Sequence, residues 1–260
     1  MTTNLWLHLG YHKCMTVLFH TVFGALAQKI SGFHEHYNED IISFMNNIEQ
    51  PKEFSFVHLG LDHVVMDFSL MPTYKGTHIV RDPRDLLVSG YRYHLWSTEK
   101  WLNKVLGDWF LKERLRLQDL GLLEYGRGKS FKEILSSVDK ETGLIIELNW
   151  RQKQFDQMAS WDYSNPNILE IRYENVFGKE LEVFERIFNF LGLEKIHMSS
   201  ALEIVDSRSF YSLQKQRKTG PQKHASVGVS EQWQSFLPNK VIDHFNESNS
   251  KLLDILGYNK

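Results

Sequence analysis

Cysteine is almost absent from this 260-residue chain; Cys14 stands alone. That excludes an internal disulfide and a structural zinc centre built from several thiolates, and it points to a reducing compartment. Long apolar runs are missing as well. No stretch reaches the roughly 18 uninterrupted apolar residues of a membrane span, and Met1-Thr2-Thr3-Asn4 lacks the basic segment and apolar core of a secretory leader. The expectation is a soluble, cytoplasmic protein with no membrane association. Charge of one sign is not in excess either: 30 Lys and Arg stand against 32 Asp and Glu, a net charge of −2. Binding of nucleic acid through a broad basic surface is therefore not expected, although a local basic pocket is compatible with this balance. The complete Gly-x-x-x-x-Gly-Lys-Ser/Thr loop of nucleotide hydrolases is absent too. Only Gly10 precedes Lys13, and Cys14 occupies the place of the metal-binding hydroxyl. That argues against ATP with Mg²⁺.

What is present suffices for a sizeable core, since 42% of the residues are apolar. There is no internal repeat, low-complexity tract or clear domain boundary, and the economical reading is one domain over residues 1–260. Apolar residues 5–9 end at Gly10, a polar turn carries His12, Lys13 and Cys14, and Thr16 opens a helical stripe through Val17, Leu18, Phe19, Val22, Phe23, Leu26 and Ile30, ending near Gly32. Strands are expected at 33–37, 54–59, 76–80 and 168–173. Helices are expected around 40–48 (stopped by Pro51), from Pro83 onward, over 143–161, over 181–190 (ending at Gly192) and over 240–256. An aromatic and charged helical insertion, with a mobile loop in its first part, is expected over about 96–165, and a basic loop able to act as a lid over about 214–232. Strands alternating with helices at crossover spacing imply an α/β fold: a central, mainly parallel sheet flanked by helices.

Two strand, turn, helix junctions are suited to chemistry. The first, around Lys13, aims backbone N–H groups and the positive end of a helix dipole at one spot, where a phosphate or sulfate can bind. The second is Arg81-Asp82-Pro83-Arg84-Asp85, with Pro83 at a turn or first helical position. A guanidinium binds phosphate in bidentate fashion, while a lysine acts as a mobile point charge. Arg84 reads as an ion pair at the helix start or on the surface rather than a phosphate ligand.

Four motifs occur in one order: Lys13-Cys14-Met15-Thr16, then Arg81-Asp82-Pro83-Arg84-Asp85 with Ser89 eight residues after Arg81, then Tyr173-Glu174, then Arg217-Lys218-Thr219-Gly220. Together with Phe190-Leu191-Gly192-Leu193 and Leu256-Gly257-Tyr258, they resemble the sulfotransferases that use 3′-phosphoadenosine 5′-phosphosulfate (PAPS), over nearly the whole chain. The resemblance implies a P-loop NTPase-like sulfotransferase fold. It also implies that Lys13 and the loop amides of Cys14, Met15, Thr16 and Val17 hold the 5′-phosphosulfate, with the Thr16 hydroxyl as a further donor. Arg81 and Ser89 are implied for the 3′-phosphate, helped by Arg217, Lys218 and the Gly220 backbone, and Tyr173 for a place near adenine. Two loop positions depart from the family pattern: Met15 where glycine is common and Val17 where a second threonine is common. A side chain in place of glycine obstructs close backbone approach, so a looser or differently shaped cradle is expected.

The resemblance also implies His58, in Val57-His58-Leu59, as the base that takes the acceptor proton. The bland alternative is a strand-end histidine that only hydrogen-bonds. His63 beside Asp62, His12 and His94 are rivals, His94 reading equally as core or pocket wall. Cys14 reads as a loop residue whose backbone faces an anion, not as a nucleophile. Phe19, Trp96, Trp101, Trp109 and Phe110 could line an acceptor pocket, though such residues are more often core. The expected activity is PAPS-dependent transfer of a sulfuryl group to a hydroxyl or amine of a small molecule, with natural-product tailoring as the setting and no metal required. The competing classes are a non-catalytic nucleotide- or partner-binding protein of the same fold, against which the intact Arg81, Ser89 and Arg217 argue, and a P-loop kinase. The oligomeric state is not legible.

Calorimetry separates these classes. Adenosine 3′,5′-bisphosphate (PAP) should bind without metal, whereas tight Mg²⁺-dependent binding of ATP would place the chain among the nucleotide hydrolases.

Overall fold

The structure, a computed structural model, describes residues 5–31, 33–37, 54–61, 67–209 and 230–258. In chain order these residues form β1 (Leu5–Gly10), α1 (Thr16–Lys29), β2 (Phe33–Tyr37), β3 (Phe54–Gly60), β4 (Tyr74–Val80), α2 (Pro83–Trp96), α3 (Phe131–Ser137), α4 (Lys140–Ser160), β5 (Ile168–Arg172), α5 (Glu180–Leu191), α6 (Lys195–Arg208) and α7 (Asn239–Leu256), joined by shorter helical turns. They fall into two compact units. The helix expected at 40–48, the helix end at Gly32 and the loop 214–229 lie outside the described residues.

The first unit, built from residues up to 81 and from 162 onward, contains the sheet. Its five strands are all parallel in the order β2-β3-β1-β4-β5. β1 is central, with every residue buried, as its apolar composition requires of a strand covered on both faces. Its register sets Gly10 opposite Gly60 of β3 and Ile79 of β4, so β1 and β3 finish level and β4 runs one residue further. The Leu61 amide donates to the Gly10 carbonyl at 2.9 Å and closes the end of β3 onto β1. An aromatic core fills the space between one sheet face and the helices α1 and α5. Phe23 stacks on Phe56 with centroids 3.6 Å apart, and Phe184 lies 4.9 Å from Phe19. Gly192 ends α5 at φ 88°, a left-handed value that glycine adopts without steric cost.

The second unit, residues 82–161 and from 230 onward, is helical. Asp82 caps α2 by accepting from the Arg84 amide, Ser130 and Glu133 form a reciprocal capping box on α3, and Asp139 caps α4 through the Thr142 amide. Phe155 of α4 meets Phe245 of α7 at 5.8 Å, edge to face. Residues 96–123 contain a 3₁₀ turn at Lys100–Asn103 and a π turn at Phe110–Arg114 in place of regular helices.

Phe23 is fully buried among Phe19, Phe56, Phe184 and Phe188. Phe23→Ala should therefore cost about 3–5 kcal/mol, read as a lower urea midpoint with an unchanged m-value.

Candidate active site

The strand ends define the site. Because all five strands run the same way, the residues that follow β1, β4 and β5 leave one edge of the sheet side by side, with β3 ending next to β1. The strand order also reverses between β1 and β4, and open α/β sheets bind ligands beyond the carboxyl ends of their strands at such a point. The first unit thus aligns the loop Tyr11 to Met15 after β1, Arg81 after β4 and Tyr173 after β5.

In the loop, the Cys14 amide donates to the Tyr11 carbonyl at 3.0 Å, a tight turn that lifts Lys13 at its crest. Lys13 and Met15 both take left-handed backbone, at φ 77° and 57°. For side chains other than glycine this costs about 1–2 kcal/mol each. Met15 is the residue preceding α1, and its carbonyl accepts from the Leu18 and Phe19 amides. The amides of Thr16 and Val17, first in the helix, come before the earliest intrahelical acceptor. No side chain caps this end, and no acidic residue lies in the first turn. The positive end of the dipole is left for an anion. Lys13 and Thr16 are half-buried and Val17 is 71% exposed, whereas Cys14 is fully buried. The Cys14 side chain is turned into the interior, which leaves its backbone as the part that faces the loop.

Arg81 is buried and its guanidinium lies 4.0 Å over the ring of Tyr173, also buried. This cation–π contact holds the guanidinium over the ring face, and a guanidinium can bind an anion through two donors at once. Tyr173 begins a short helical turn instead of ending the strand, because β5 stops at Arg172. In the second unit, Ser89 lies half-buried in the second turn of α2. Arg217, Lys218 and Gly220 lie outside the described residues, as do His63 and Asp62.

His58 sits opposite His8 in the β1–β3 register, and Thr77 of β4 continues the row. The His8 ring stacks on Phe19 at 3.7 Å and bonds the Thr77 hydroxyl through Nδ1 at 2.8 Å, and His58 meets it edge-on at 4.5 Å. His58 thus lies beneath the start of α1, with His20 of that helix 6.4 Å away. Desolvation by burial, with His20 adding to it, lowers the His58 pKa to about 3. Burial, then His58 and His78, drive His8 well below the ordinary value. Both rings are neutral at pH 7.

Other residues read from the sequence occupy core or structural positions. His94 is fully buried in the second unit, with Nδ1 2.6 Å from Glu147. Phe19 is core, whereas Trp109 is 69% exposed and Trp96 and Trp101 are partly so. Arg84 does pair with Asp82 at the helix start, through Nε and Nη2 at 3.0 and 2.8 Å, but it is buried instead of lying on the surface. The cover comes from Trp233, whose ring lies 3.8 Å from the guanidinium. Asp85 accepts from the Glu231 and Trp233 amides at 2.8 and 3.0 Å. This second half of the motif therefore clasps the segment that begins at residue 230. A lone tryptophan shortly after a basic stretch of sequence was the signal for it.

Among the described residues, no helix is long and apolar enough to cross a membrane, and no group of three or more His, Cys, Asp or Glu residues could hold a metal.

An anion loop at the end of β1, an arginine at the end of the neighbouring strand and an α/β parallel sheet agree with what sequence comparison returns. The family profile described as "Sulfotransferase domain" matches residues 7–257. The chain belongs to the sulfotransferase family. It is accordingly an enzyme, a PAPS-dependent sulfotransferase. A search of curated protein sequences gives no match. Among solved structures, mouse sulfotransferase SULT7A1 complexed with PAP is similar at 18% identity and TM-score 0.50, over 96% of this chain and 84% of that one. Retinol dehydratase in complex with androsterone and inactive cofactor PAP is similar at 14% identity and TM-score 0.50, over 97% of this chain and 81% of that one. At these identities the likeness is one of fold. The sulfotransferase loop fits a sulfate-bearing phosphate group by its uncapped helix start and half-buried Lys13 and Thr16.

The buried imidazoles predict a pH dependence of stability. The unfolded chain protonates a histidine near pH 6.5, while folded His58 resists until about pH 3. Between these values the unfolded state binds the extra proton. Stability is therefore complete above about pH 6.5 and is lost as pH falls, by up to about 1.4 kcal/mol per unit for one such group. Urea midpoints at pH 7.5, 6 and 5 should fall in that order, and His58→Gln should flatten the slope.

Proposed function

We propose that this sulfotransferase moves the sulfuryl group of PAPS to a hydroxyl or amine of a small-molecule acceptor in the cytoplasm, with His58 as the acceptor's base. The observation that carries the proposal is the alignment of the Lys13 loop, Arg81 and Tyr173 along one edge of the parallel sheet. The androsterone bound in a protein of the same fold supports a small organic acceptor.

When bound, PAPS supplies the sulfuryl group and a phosphate leaving oxygen. The loop amides through Val17 and the Thr16 hydroxyl would hold its 5′ end. Lys13 would neutralise the charge that grows on the leaving oxygen as the sulfur–oxygen bond breaks. Arg81, held over the ring of Tyr173, would bind the 3′-phosphate, a role proposed also for Ser89, Arg217, Lys218 and the Gly220 backbone. The acceptor oxygen or nitrogen would bond to sulfur as the phosphate oxygen leaves, and the neutral His58 ring would take the acceptor's proton. Desolvation keeps that ring unprotonated over the whole physiological range and also weakens its affinity for the acceptor's proton, so the role requires the imidazolium to be stabilised as the acceptor reacts.

Three measurements test these roles. Lys13→Ala should lower kcat by about 10²–10³-fold with PAP affinity changed far less, whereas Arg81→Ala should chiefly weaken PAP binding in calorimetry. His58→Ala should lower kcat by about 10²–10⁴-fold. With His58 as base, kcat/KM should show no acid limb between pH 5 and 8. A limb near 6.5 would assign proton transfer to a histidine of ordinary pKa instead.

A further inference from the structure

Three charged or titratable side chains that the proposed chemistry does not use meet in the interior of the second unit. Glu147 and Arg151, one turn apart on α4, and His94 on α2 are all fully buried. Arg151 Nε donates to Glu147 Oε1 at 2.8 Å, and its Nη1 donates to Gln154 Oε1 at 2.9 Å. The other carboxylate oxygen, Oε2, lies 2.6 Å from His94 Nδ1. Burial by itself would push the Glu147 pKa up, but His94 and Arg151 more than offset it and hold the carboxyl below its ordinary value. The charge is therefore present and tied on both sides.

The guanidinium also reaches the preceding turn of α2. A Cβ added at Gly90 would lie 1.9 Å from Arg151 Nη2 and 2.4 Å from Glu147 Oε1. The side chains of α4 thus engage α2 at two points: the ring of His94 and the bare backbone of Gly90, four residues earlier. Positions four apart lie on one helix face, so the two contacts together fix the rotation of α2 about its axis and its height along it. A buried ion pair adds little net stability, since desolvation offsets the attraction, and apolar residues could pack these helices as firmly. What it adds is a single permitted register, because a sliding or rotating helix would strand a buried charge. Ser89 adjoins Gly90, roughly 100° further round the same helix.

We infer that Glu147 and Arg151 are positioning residues for Ser89, fixing the rotation of α2 and with it the direction of the Ser89 hydroxyl. The inference rests on the reading of Ser89 as a ligand of the 3′-phosphate. Neither residue touches cofactor or acceptor, and they act only through the helix.

The test is the affinity for PAP, by calorimetry well below the thermal transition, of Ser89→Ala, Glu147→Gln, Arg151→Lys and the double variant Ser89→Ala/Glu147→Gln. Gln152→Ala serves as the control. It removes the reciprocal amide pair with Asn249, at 3.0 and 3.2 Å, and so loosens α4 without touching the ion network. Ser89→Ala should weaken PAP about tenfold, the loss of one hydrogen bond to a charged group. Glu147→Gln and Arg151→Lys should each weaken it by a similar factor, raising KM for PAPS while kcat at saturation changes less than about threefold. The double variant should be no weaker than Ser89→Ala alone, because the hydroxyl to be positioned is already gone. Gln152→Ala should lower the melting temperature and leave PAP affinity unchanged. Should Glu147→Gln not fold, Gly90→Ala, which displaces Arg151 from the face of α2, is read in the same way. Wild-type affinity in the network variants, alongside a weakened Ser89→Ala, overturns the inference, as do strictly additive losses in the double variant. An unchanged Ser89→Ala overturns the reading of Ser89 itself, and the inference falls with it.

Discussion

Parallel pairing of β1 with β3 on one side and β4 on the other is the constraint from which the site follows. A parallel strand returns its chain by a long crossover, so successive strands point the same way and discharge their following residues at the same edge. With Gly10, Gly60 and Ile79 level in the register, the loop carrying Lys13 and the residue Arg81 leave adjacent strands. Neighbouring strands lie about 4.8 Å apart, which sets the scale on which two cationic side chains from distant parts of the chain can serve one ligand. Mutual repulsion between them is a reason for such a site to prefer a multiply charged anion.

The same sheet explains why histidine at its centre behaves unlike histidine in water. His8 and Thr77 pair across β1 and β4, His58 stands beside them on β3, and Phe19 covers the row. Holding a charge there would oppose both desolvation and the neighbouring ring. The arrangement therefore selects a neutral imidazole: the ring stands free of a proton at pH 7, and the imidazolium that accepting one would form is disfavoured by the same desolvation. The second unit solves the opposite problem. It retains a buried carboxylate by surrounding it with an arginine and an imidazole. In both places the polar groups define a geometry more than they add stability.

Local patterns were legible because they are local. Strand runs, the Gly10 to Thr16 junction and the stripe of α1 follow from period and turn chemistry within a few residues, and the structure reproduces them nearly to the residue. α6 escaped notice because its apolar positions are sparse and Ile196 faces outward at 80% exposure. Arg84 shows the boundary well. Its partner Asp82 is two residues away and readable, but its burial depends on Trp233, far along the chain. His94 and Glu147 stand 53 residues apart and Asp85 is joined to Glu231 across 146, separations at which no periodicity carries information. The placement of Lys13 and Arg81 just beyond two strands was legible from residue type and motif order; the neutrality of His58 was not, since it arises from burial and from rings that only the fold assembles.

Met15 bears on how far a sulfotransferase loop can depart from glycine. A left-handed backbone there turns successive amides toward one point, and glycine accepts it freely, whereas methionine is strained by about 1–2 kcal/mol. Its side chain, however, is 7% exposed. Burying a methionine contributes about 1.5–3 kcal/mol, enough to offset the strain. At this position the stabilising contribution comes from packing under the loop where glycine would rely on backbone freedom. Lys13, at φ 77° and only half-buried, has less such compensation. Its strain must be opposed by the Tyr11 to Cys14 turn and by the helix that follows. A charged side chain held at the crest of a loop fixed from both sides is preorganised, and in the role proposed for Lys13 that would lower the reorganisation needed as charge develops on a leaving oxygen.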